Sequence, residues 1–383
     1  MTGARLTPAD VRLEDFAGVV AQTTDLTAYP HAGRVEGNVL VYDAARVRDT
    51  ITTPAGHDDL SAELVRAFTE GPGIVVLEGA FPELAVVDRV TAVFDDIIAE
   101  EDAAGGAAGD HFAPPGANSR VWNALEKLAV KDPEAFVAYY ANDVIALAAS
   151  AWLGPGYQVT SQVNVVRPGG QAQEPHRDYH LGFLADEVVA DYPAHVHTLS
   201  PVLTLQGAVA HSDMPLESGP TLYLPFSHQY APGYLAWRRD DFKAYFAEHR
   251  VQLPLRKGDA AFFNPAVFHG AGTNVSSDIQ RMANLLQVSS AFGRAMEQVD
   301  RARVVTAVYP ALRASGLDGA ALANAVAACA EGYPFPTNLD LDRPVGRLTP
   351  LSQAEIVHRA LAEGWETSAL TAAITDHVAR RRT

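Results

Sequence analysis

The segment Glu174-Pro175-His176-Arg177-Asp178-Tyr179-His180-Leu181-Gly182 carries two common metal ligands, a histidine and an aspartate, two residues apart. In an extended strand, residues i and i+2 point to the same face, so the imidazole of His176 and the carboxylate of Asp178 can approach one cation together. By the same alternation, His180 falls on the metal face and Tyr179 points away from it. Two ligands do not complete a metal site, and the pattern therefore predicts a third ligand elsewhere in the chain.

The best candidate for the third ligand is His269, in the segment 264–272. Two imidazoles and one carboxylate on one flank of a metal leave its other positions open, which is typical of non-heme Fe(II) oxygenases. Arg281 follows in a segment with strand-like alternation, and a planar guanidinium there would hold a dicarboxylate by its far end. The residues thus predict a metal site whose cosubstrate has one chelating end and one carboxylate end.

The spacing His-x-Asp alone is a weak signal, because it occurs at His57/Asp59, His176/Asp178 and His211/Asp213. The first pair opens a predicted helix, where acidic residues favour the helix N-terminus. The third pair ends the strand-like segment 203–210, where an aspartate commonly caps a turn. The third pair stays open as an alternative, although it leaves fewer residues for the strands that must precede His269.

Four stretches occur in the order seen in the phytanoyl-CoA dioxygenase family: residues 73–82, 176–178, 217–228 and 269–281. The chain resembles that family over roughly residues 65–292. One departure is Phe226, which stands where many relatives have glycine in a Pro-Gly-Ser-His turn. The resemblance is carried by the four stretches together, since each alone is unspecific.

The resemblance implies an Fe(II)- and 2-oxoglutarate-dependent dioxygenase that uses O2 to hydroxylate or otherwise oxidise a small organic substrate, releasing succinate and CO2. It makes His176, Asp178 and His269 the iron ligands and Arg281 the clamp for the far carboxylate of 2-oxoglutarate. Related halogenases have a small residue in place of the carboxylate ligand, so the presence of Asp178 favours oxidation.

Four further residues are candidates for contacts in the site. Gln162 and Asn164 lie on one face of the first core strand and resemble family positions near the cosubstrate, although inward amides satisfied by neighbours are equally compatible with the pattern. His180 is a candidate substrate contact because it adjoins the ligand pair. His228 resembles the turn histidine of the family and is a second such candidate, although a surface turn histidine would need no function.

The implied fold is α+β, with a mainly β core that forms a double-stranded β-helix (jelly roll or cupin-like) flanked by N- and C-terminal helices. We predict one domain, in which residues 1–57 are an extension packed outside the core and residues 58–154 a helical support. Residues 155–292 form the β core and residues 293–383 a C-terminal helical region.

The local patterns predict individual elements. Strand-like runs alternate with turn residues in eight places: 157–166, 176–181, 201–210, 221–225, 251–255, 260–264, 267–271 and 281–290. Helices are predicted at 58–69, 82–101 and 132–154, and Ser352 with Glu355 indicates a capping box. The glycine-rich stretch 103–109 is typical of a surface linker, with a lid over the site as the alternative.

Composition limits the classes of partner. The chain has 383 residues, of which 29 are basic and 46 acidic, and its net charge of −17 disfavours nucleic acids and anionic membranes as partners. Cys329 is the only cysteine and the first residues lack the pattern of a secretory signal, so we expect a cytoplasmic protein. The C-terminal helices would serve packing or the contacts of a homo-oligomer.

Two other classes of function remain compatible with the residues. A cupin-like isomerase or hydrolase could use a similar metal triad on a similar barrel without oxygen. Such an enzyme would not need Arg281. A non-catalytic protein that keeps the metal site as a sensor is the other alternative.

Overall fold

The computed structural model describes residues 4–104 and 118–382 and has an α+β architecture. Within these residues the strands are β1 (Arg34–Glu36), β2 (Val39–Asp43), β3 (Ile74–Glu78), β4 (Asn118–Val121), β5 (Gln158–Val166), β6 (Thr204–Ala210), β7 (Leu222–Leu224), β8 (Val251–Gln252), β9 (Ala260–Phe263), β10 (Phe268–Gly270) and β11 (Arg281–Ser289). The α-helices are α1 (Leu13–Val20), α2 (Ala44–Thr50), α3 (Pro54–Thr69), α4 (Leu84–Ala103), α5 (Ala124–Lys131), α6 (Pro133–Tyr140), α7 (Asp143–Leu153), α8 (Asp186–Asp191), α9 (Ala194–Val202), α10 (Asp240–His249), α11 (Arg301–Ala314), α12 (Gly319–Cys329), α13 (Gln353–Ala362) and α14 (Thr367–Arg381).

Eight strands form one large sheet in the order β1-β2-β3-β9-β6-β11-β5-β4. Only β2 and β3 are parallel neighbours, and the other neighbouring pairs in this sheet are antiparallel. A parallel pair needs a crossover connection, which α2 and α3 supply. The remaining strands form a small sheet in the order β10-β7-β8.

The two faces of the large sheet have different neighbours, as β11 shows. Met282, Leu286 and Val288 belong to the main hydrophobic core, which also contains buried residues of α3 to α7 and α11 to α14. Alternate residues point to opposite faces of a strand, so Arg281, Ala283, Leu285 and Gln287 lie on the other face, where they line a cavity. The helices therefore cover one face of the sheet and leave the other for the site.

The small sheet packs over this second face. The rings of Tyr223 on β7 and Phe263 on β9 meet edge to face with centroids 5.2 Å apart, and Phe263 also lies 4.7 Å from the ring of His269 on β10. The cavity is thus enclosed between the large sheet and the small one.

Seven of the eight predicted strands are present, and the exception is 176–181. In that segment only His176 makes a β-bridge, and Tyr179 has φ of +32°, which breaks the extended conformation. The predicted strand at 201–210 begins only at Thr204, because the residues before it belong to α9.

The expectation that residues 1–57 pack outside the core is wrong for β2, which is buried within the large sheet, whereas β1 is the exposed edge strand beside it. Val39, Leu40 and Val41 are fully or almost fully buried, and β2 pairs with β3. The sequence of β2 is a short apolar run between turns, and it does not show which strand β2 pairs with. The partner, β3, is separated from β2 in the chain by α2 and α3.

Local capping explains where several helices begin. Thr53 accepts a hydrogen bond from the main chain of Gly56, and Pro54 takes the first position of α3. The predicted helix at 132–154 is in fact α6 followed by α7, because the side chain of Asn142 caps a new helix by accepting from the amides of Val144 and Ile145. The predicted capping box of Ser352 and Glu355 is confirmed at the start of α13.

The prediction of a surface linker, or of a lid over the site, at the glycine-rich stretch 103–109 falls mostly outside the described residues. Among the residues that are described, no single helix has the length and apolar character needed to cross a bilayer, and only the bent pair α6 and α7 passes such a test jointly.

Candidate metal centre

Main-chain pairing brings His176 next to His269. The amide of each residue donates to the carbonyl of the other, at 2.9 and 3.1 Å, which forms an isolated antiparallel bridge. Their rings lie with centroids 4.4 Å apart. The main-chain amide of Asp178 donates to the carbonyl of Pro265 at 3.1 Å, so one end of the His-x-Asp segment is held by the strand that carries His269 and the other by the loop before that strand.

The side chains of His176, Asp178 and His269 converge, with one potential ligand atom from each lying within 4.8 Å of the others. Nε2 of His176 is 3.8 Å from Oδ1 of Asp178, and Nε2 of His269 is 3.5 Å from Oδ2. In the described part of the chain, this is the one group of three such side chains that is close enough to hold a metal ion.

Hydrogen bonds set the orientation of both imidazoles. Nδ1 of His176 lies 2.9 Å from the carbonyl oxygen of Glu174, and Nδ1 of His269 lies 2.9 Å from that of Val267. A carbonyl oxygen only accepts, so each Nδ1 carries the hydrogen and each Nε2 of a neutral ring carries a lone pair. Two such nitrogens and a carboxylate facing one another form a donor set that fits a divalent cation.

The protonation states of the cluster also suit a metal. Burial would raise the pKa of Asp178, but the imidazoles of His176 and His269 and a hydrogen bond from Gln206 together hold it well below its usual value. Burial and the neighbouring His269 lower the pKa of His176. An ionised carboxylate and a neutral imidazole are the forms that bind a metal.

Gln206 is a member of this cluster that the sequence patterns did not indicate. Its Nε2 donates to Oδ2 of Asp178 at 2.5 Å, and its side chain is 3% exposed. Gln206 lies on β6, and the sequence predicted this strand. The sequence did not predict the contact of Gln206 with Asp178, which lies in a loop 28 residues earlier in the chain. A polar residue amid the apolar run 203–210 was the only available signal.

The triad lies in the wall of a cavity of about 520 Å³. Side chains of both sheets and of the short helix Leu181–Phe183 form this wall. Apolar residues predominate, among them Phe183, Trp237, Leu253, Phe263, Leu285 and Met296. A mainly apolar cavity with a few converging polar groups is typical of a site for a small molecule.

Arg281 lines the same cavity at the first position of β11. It is 6% exposed, its Nη1 has no hydrogen-bond partner, and no carboxylate within the described ranges forms an ion pair with it. Burial lowers the pKa of its guanidinium to about 10. A buried cation without a counter-ion is costly, so this position favours an anionic group of a ligand.

Gln162 and Asn164 also lie in the cavity wall, on β5. Oε1 of Gln162 accepts a hydrogen bond from Arg120 at 3.0 Å, so its carbonyl is already satisfied by a neighbour. Oδ1 of Asn164 is buried and has no partner. The structure places both residues in the cavity wall, and their contact with a cosubstrate stays a prediction.

His180 and His228 are not part of the cavity wall. The main-chain turn at Tyr179 removes His180 from the metal face, and its amide donates to Oγ of Ser200 at 2.6 Å. Nε2 of His228 donates to the carbonyl of Thr69 at 3.1 Å, and burial lowers its pKa to about 3. His228 therefore connects the turn to the end of α3, and the contact of either histidine with a substrate stays a prediction.

The turn before His228 explains the departure at Phe226. This residue has φ of +66° and is 3% exposed, so a phenylalanine occupies the left-handed conformation that favours glycine. Its amide donates to the carbonyl of Pro72 at 2.9 Å. The turn geometry is thus kept despite the side chain.

The two other His-x-Asp pairs lie away from the site. His211 is buried on the helical face of the large sheet, with Nδ1 2.9 Å from Oγ1 of Thr91 and Nε2 3.0 Å from the hydroxyl of Tyr139. With both ring nitrogens engaged, it has no free lone pair for a metal. His57 lies within α3 and is partly exposed.

No curated protein matches the chain. Among solved structures, the chain is similar to the non-heme alpha ketoglutarate dependent epimerase SnoN from nogalamycin biosynthesis, with 19% identity, a TM-score of 0.42, and coverage of 62% of this chain and 82% of that one. It is similar to the non-heme alpha ketoglutarate dependent carbocyclase SnoK from the same biosynthesis, with 22% identity, a TM-score of 0.42, and coverage of 61% and 86%. EvdMO1 is 19% identical with a TM-score of 0.43, and the match covers 60% of this chain and half of that one.

The sequence model of the family described as phytanoyl-CoA dioxygenase (PhyH) matches residues 69–283. This range is more than half of the chain and contains the cluster of His176, Asp178 and His269 together with Arg281. The resemblance expected from the four sequence stretches is confirmed. The chain therefore belongs to the phytanoyl-CoA dioxygenase family.

Proposed function

We propose that the protein is an Fe(II)- and 2-oxoglutarate-dependent dioxygenase that oxidises a small organic substrate. In this proposal the small sheet and the facing part of the large sheet form the double-stranded β-helix of the family. One observation carries the proposal: the His176, Asp178 and His269 cluster and an unpaired, buried Arg281 line a single cavity.

Each residue has a role that its environment supports. Nε2 of His176, Nε2 of His269 and the carboxylate of Asp178 hold Fe(II) from one flank, with the imidazoles oriented by their Nδ1 hydrogen bonds. Bound Fe(II) and 2-oxoglutarate supply the oxidising chemistry with O2, and succinate and CO2 are released. The apolar wall restricts water near the reacting groups.

Arg281 separates this function from its nearest alternatives. A hydrolase or isomerase that used the same triad would need no buried guanidinium. A guanidinium without a counter-ion in the cavity would lower the stability of such an enzyme. A dicarboxylate cosubstrate removes that cost, because its far carboxylate accepts two parallel hydrogen bonds from the guanidinium. The pairing of triad and arginine thus favours 2-oxoglutarate over a reaction without a cosubstrate.

The cavity volume favours a compact substrate. Cavities of roughly 300–1,000 Å³ hold ligands of drug size, and the cosubstrate shares the available 520 Å³. Phe183 and Trp237 belong to the wall, and Phe183 is 53% exposed, so we place the entrance beside this ring. The substrate is therefore a small organic molecule with an apolar part that enters past Phe183.

The test is the formation of succinate from 2-oxoglutarate by the purified protein, with and without added Fe(II) and O2. The proposal expects succinate only when all three are present, and faster formation with the right member of a metabolite panel. Turnover of a panel compound without succinate would support the isomerase or hydrolase. Metal binding with no turnover of 2-oxoglutarate or any panel compound would support the sensor.

A further inference from the structure

Gln206 forms a hydrogen bond with Asp178, and the four stretches that resemble the family do not include it. It lies on β6, on the cavity face of the large sheet, and is 3% exposed. Its Nε2 donates to Oδ2 of Asp178. Its neighbours across the strands are Phe263 on β9 and Gln287 on β11.

The orientation of the amide follows from its partner. An ionised carboxylate only accepts hydrogen bonds, so Gln206 must turn its NH2 group toward Asp178. Its Oε1 is buried and has no partner among the described residues. An unsatisfied buried carbonyl is unfavourable, so the amide keeps its contact with Asp178 although its own oxygen goes without a partner.

The remainder of Asp178 is held through its main chain. Its amide donates to the carbonyl of Pro265, and the hydroxyl of Tyr234 lies 3.1 Å from its carbonyl oxygen and 2.6 Å from that of Tyr179. These contacts fix the backbone but leave the rotation of the carboxylate free. The hydrogen bond from Gln206 to Oδ2 holds the carboxylate in one rotation.

We propose that Gln206 is a positioning residue that holds the carboxylate of Asp178 in the rotation in which its oxygens face the imidazoles of His176 and His269. This inference rests on the proposed function. Carboxylates bind metals through one or both oxygens. A carboxylate that is free to turn could bind a metal through both oxygens, and it would then occupy a position that a chelating cosubstrate would need.

Gln287 provides a matched control. It stands directly opposite Gln206 in the pairing of β6 with β11, is 7% exposed, and lines the same cavity. Its Oε1 is also buried without a partner, yet no hydrogen bond within the described residues joins its side chain to Asp178. A substitution there changes the same wall in the same way, except for the contact with the carboxylate.

The experiment compares Gln206→Met and Gln287→Met in the full chain freed of metal. Mn(II) is titrated by electron paramagnetic resonance, since loss of a residue that orients a ligand typically lowers metal affinity about 10–100-fold. We expect a weakening in that range for Gln206→Met and a wild-type dissociation constant for Gln287→Met. Circular dichroism of the metal-free proteins checks folding, and Gln206→Asn, whose shorter amide cannot reach Asp178, is the second variant if the first does not fold.

A second measurement follows the binding of 2-oxoglutarate to the bound metal, in addition to the affinity for the metal itself. Without oxygen, chelation of Fe(II) by 2-oxoglutarate gives a visible charge-transfer absorption. We expect Gln206→Met saturated with Fe(II) to require more 2-oxoglutarate for this absorption than Gln287→Met does. Wild-type metal affinity and wild-type absorption in both Gln206 variants would overturn the inference while leaving the proposed function intact. Absence of metal binding and absorption in the wild-type protein would overturn the proposed function and this inference with it.

Discussion

The guanidinium of Arg177 lies over the ring of Phe268, with Cζ 5.2 Å from the ring centroid. Arg177, which lies between His176 and Asp178 in the chain, thus packs against Phe268, which directly precedes His269. The same Cζ lies 5.1 Å from the ring centroid of Tyr234, and Nη2 of Arg177 donates to the carbonyls of Ser227 and Tyr230. This side chain is 2% exposed and joins the two ligand-bearing segments to the turn that the family shares.

Arg177→Met should lower the free energy of unfolding by about 2–4 kcal/mol, because it leaves two buried carbonyls unsatisfied and removes the stacking on both rings. Denaturant unfolding of the metal-free protein measures this change. Arg5→Met is the control, since among the described residues the side chain of Arg5 contacts a charged partner only in an exposed ion pair with Asp191. Equal stability of Arg177→Met and the wild type would show that the guanidinium does not hold these segments together.

Asp178→Ala should weaken Mn(II) or Fe(II) binding by more than about 100-fold, beyond the effect of residues that only orient a ligand. Conversion of 2-oxoglutarate to succinate should be lost with it. Asp213→Ala, in the alternative His-x-Asp pair, should keep both properties, because Asp213 accepts a hydrogen bond from the amide of Lys257 and lies outside the cluster. Full turnover by Asp178→Ala would exclude it as a metal ligand.

Arg281→Met should bind Mn(II) as the wild type does but should require far more 2-oxoglutarate. Loss of one partner of a buried charge pair costs about 2–5 kcal/mol, which corresponds to an increase of about 30-fold or more in the half-saturating concentration. Arg34→Met removes a partly exposed arginine that pairs with Glu78 and should change neither quantity. An unchanged 2-oxoglutarate dependence in Arg281→Met would place the carboxylate clamp at another residue.

His211 should make the folded protein sensitive to mild acid. Burial lowers its pKa from 6.5 to about 3, so the unfolded chain binds a proton that the folded protein excludes. Its contribution to stability is complete above pH 6.5 and is lost progressively as the pH falls toward 3. Between pH 6 and pH 5, the free energy of unfolding of the wild type should therefore fall by about 1.4 kcal/mol per pH unit more than that of His211→Gln. Parallel curves for the two proteins would show that His211 is protonated in the folded state.

Local patterns predicted much of the strand inventory, because the period of two and the turn residues are written in consecutive positions. Seven of the eight predicted strands and the capping box of α13 were found where the alternation and the cap residues indicated them. The predicted strand at 176–181 was wrong because the positive φ at Tyr179 is imposed by contacts with Ser200 and Tyr234, which are distant in sequence. That same turn is why His180 leaves the metal face.

The amino-acid sequence by itself determined the family and the candidate metal ligands. The residues at positions 176, 178, 269 and 281 provide two imidazoles, a carboxylate and a guanidinium in the order in which the family has them. Only the tertiary structure decided which His-x-Asp pair meets His269, that β1 and β2 extend the large sheet, and that Gln206 contacts Asp178. Each of these depends on pairing between segments far apart in the chain. Such pairing is selected by burial and hydrogen bonding of the whole assembly, which no local run of residues encodes.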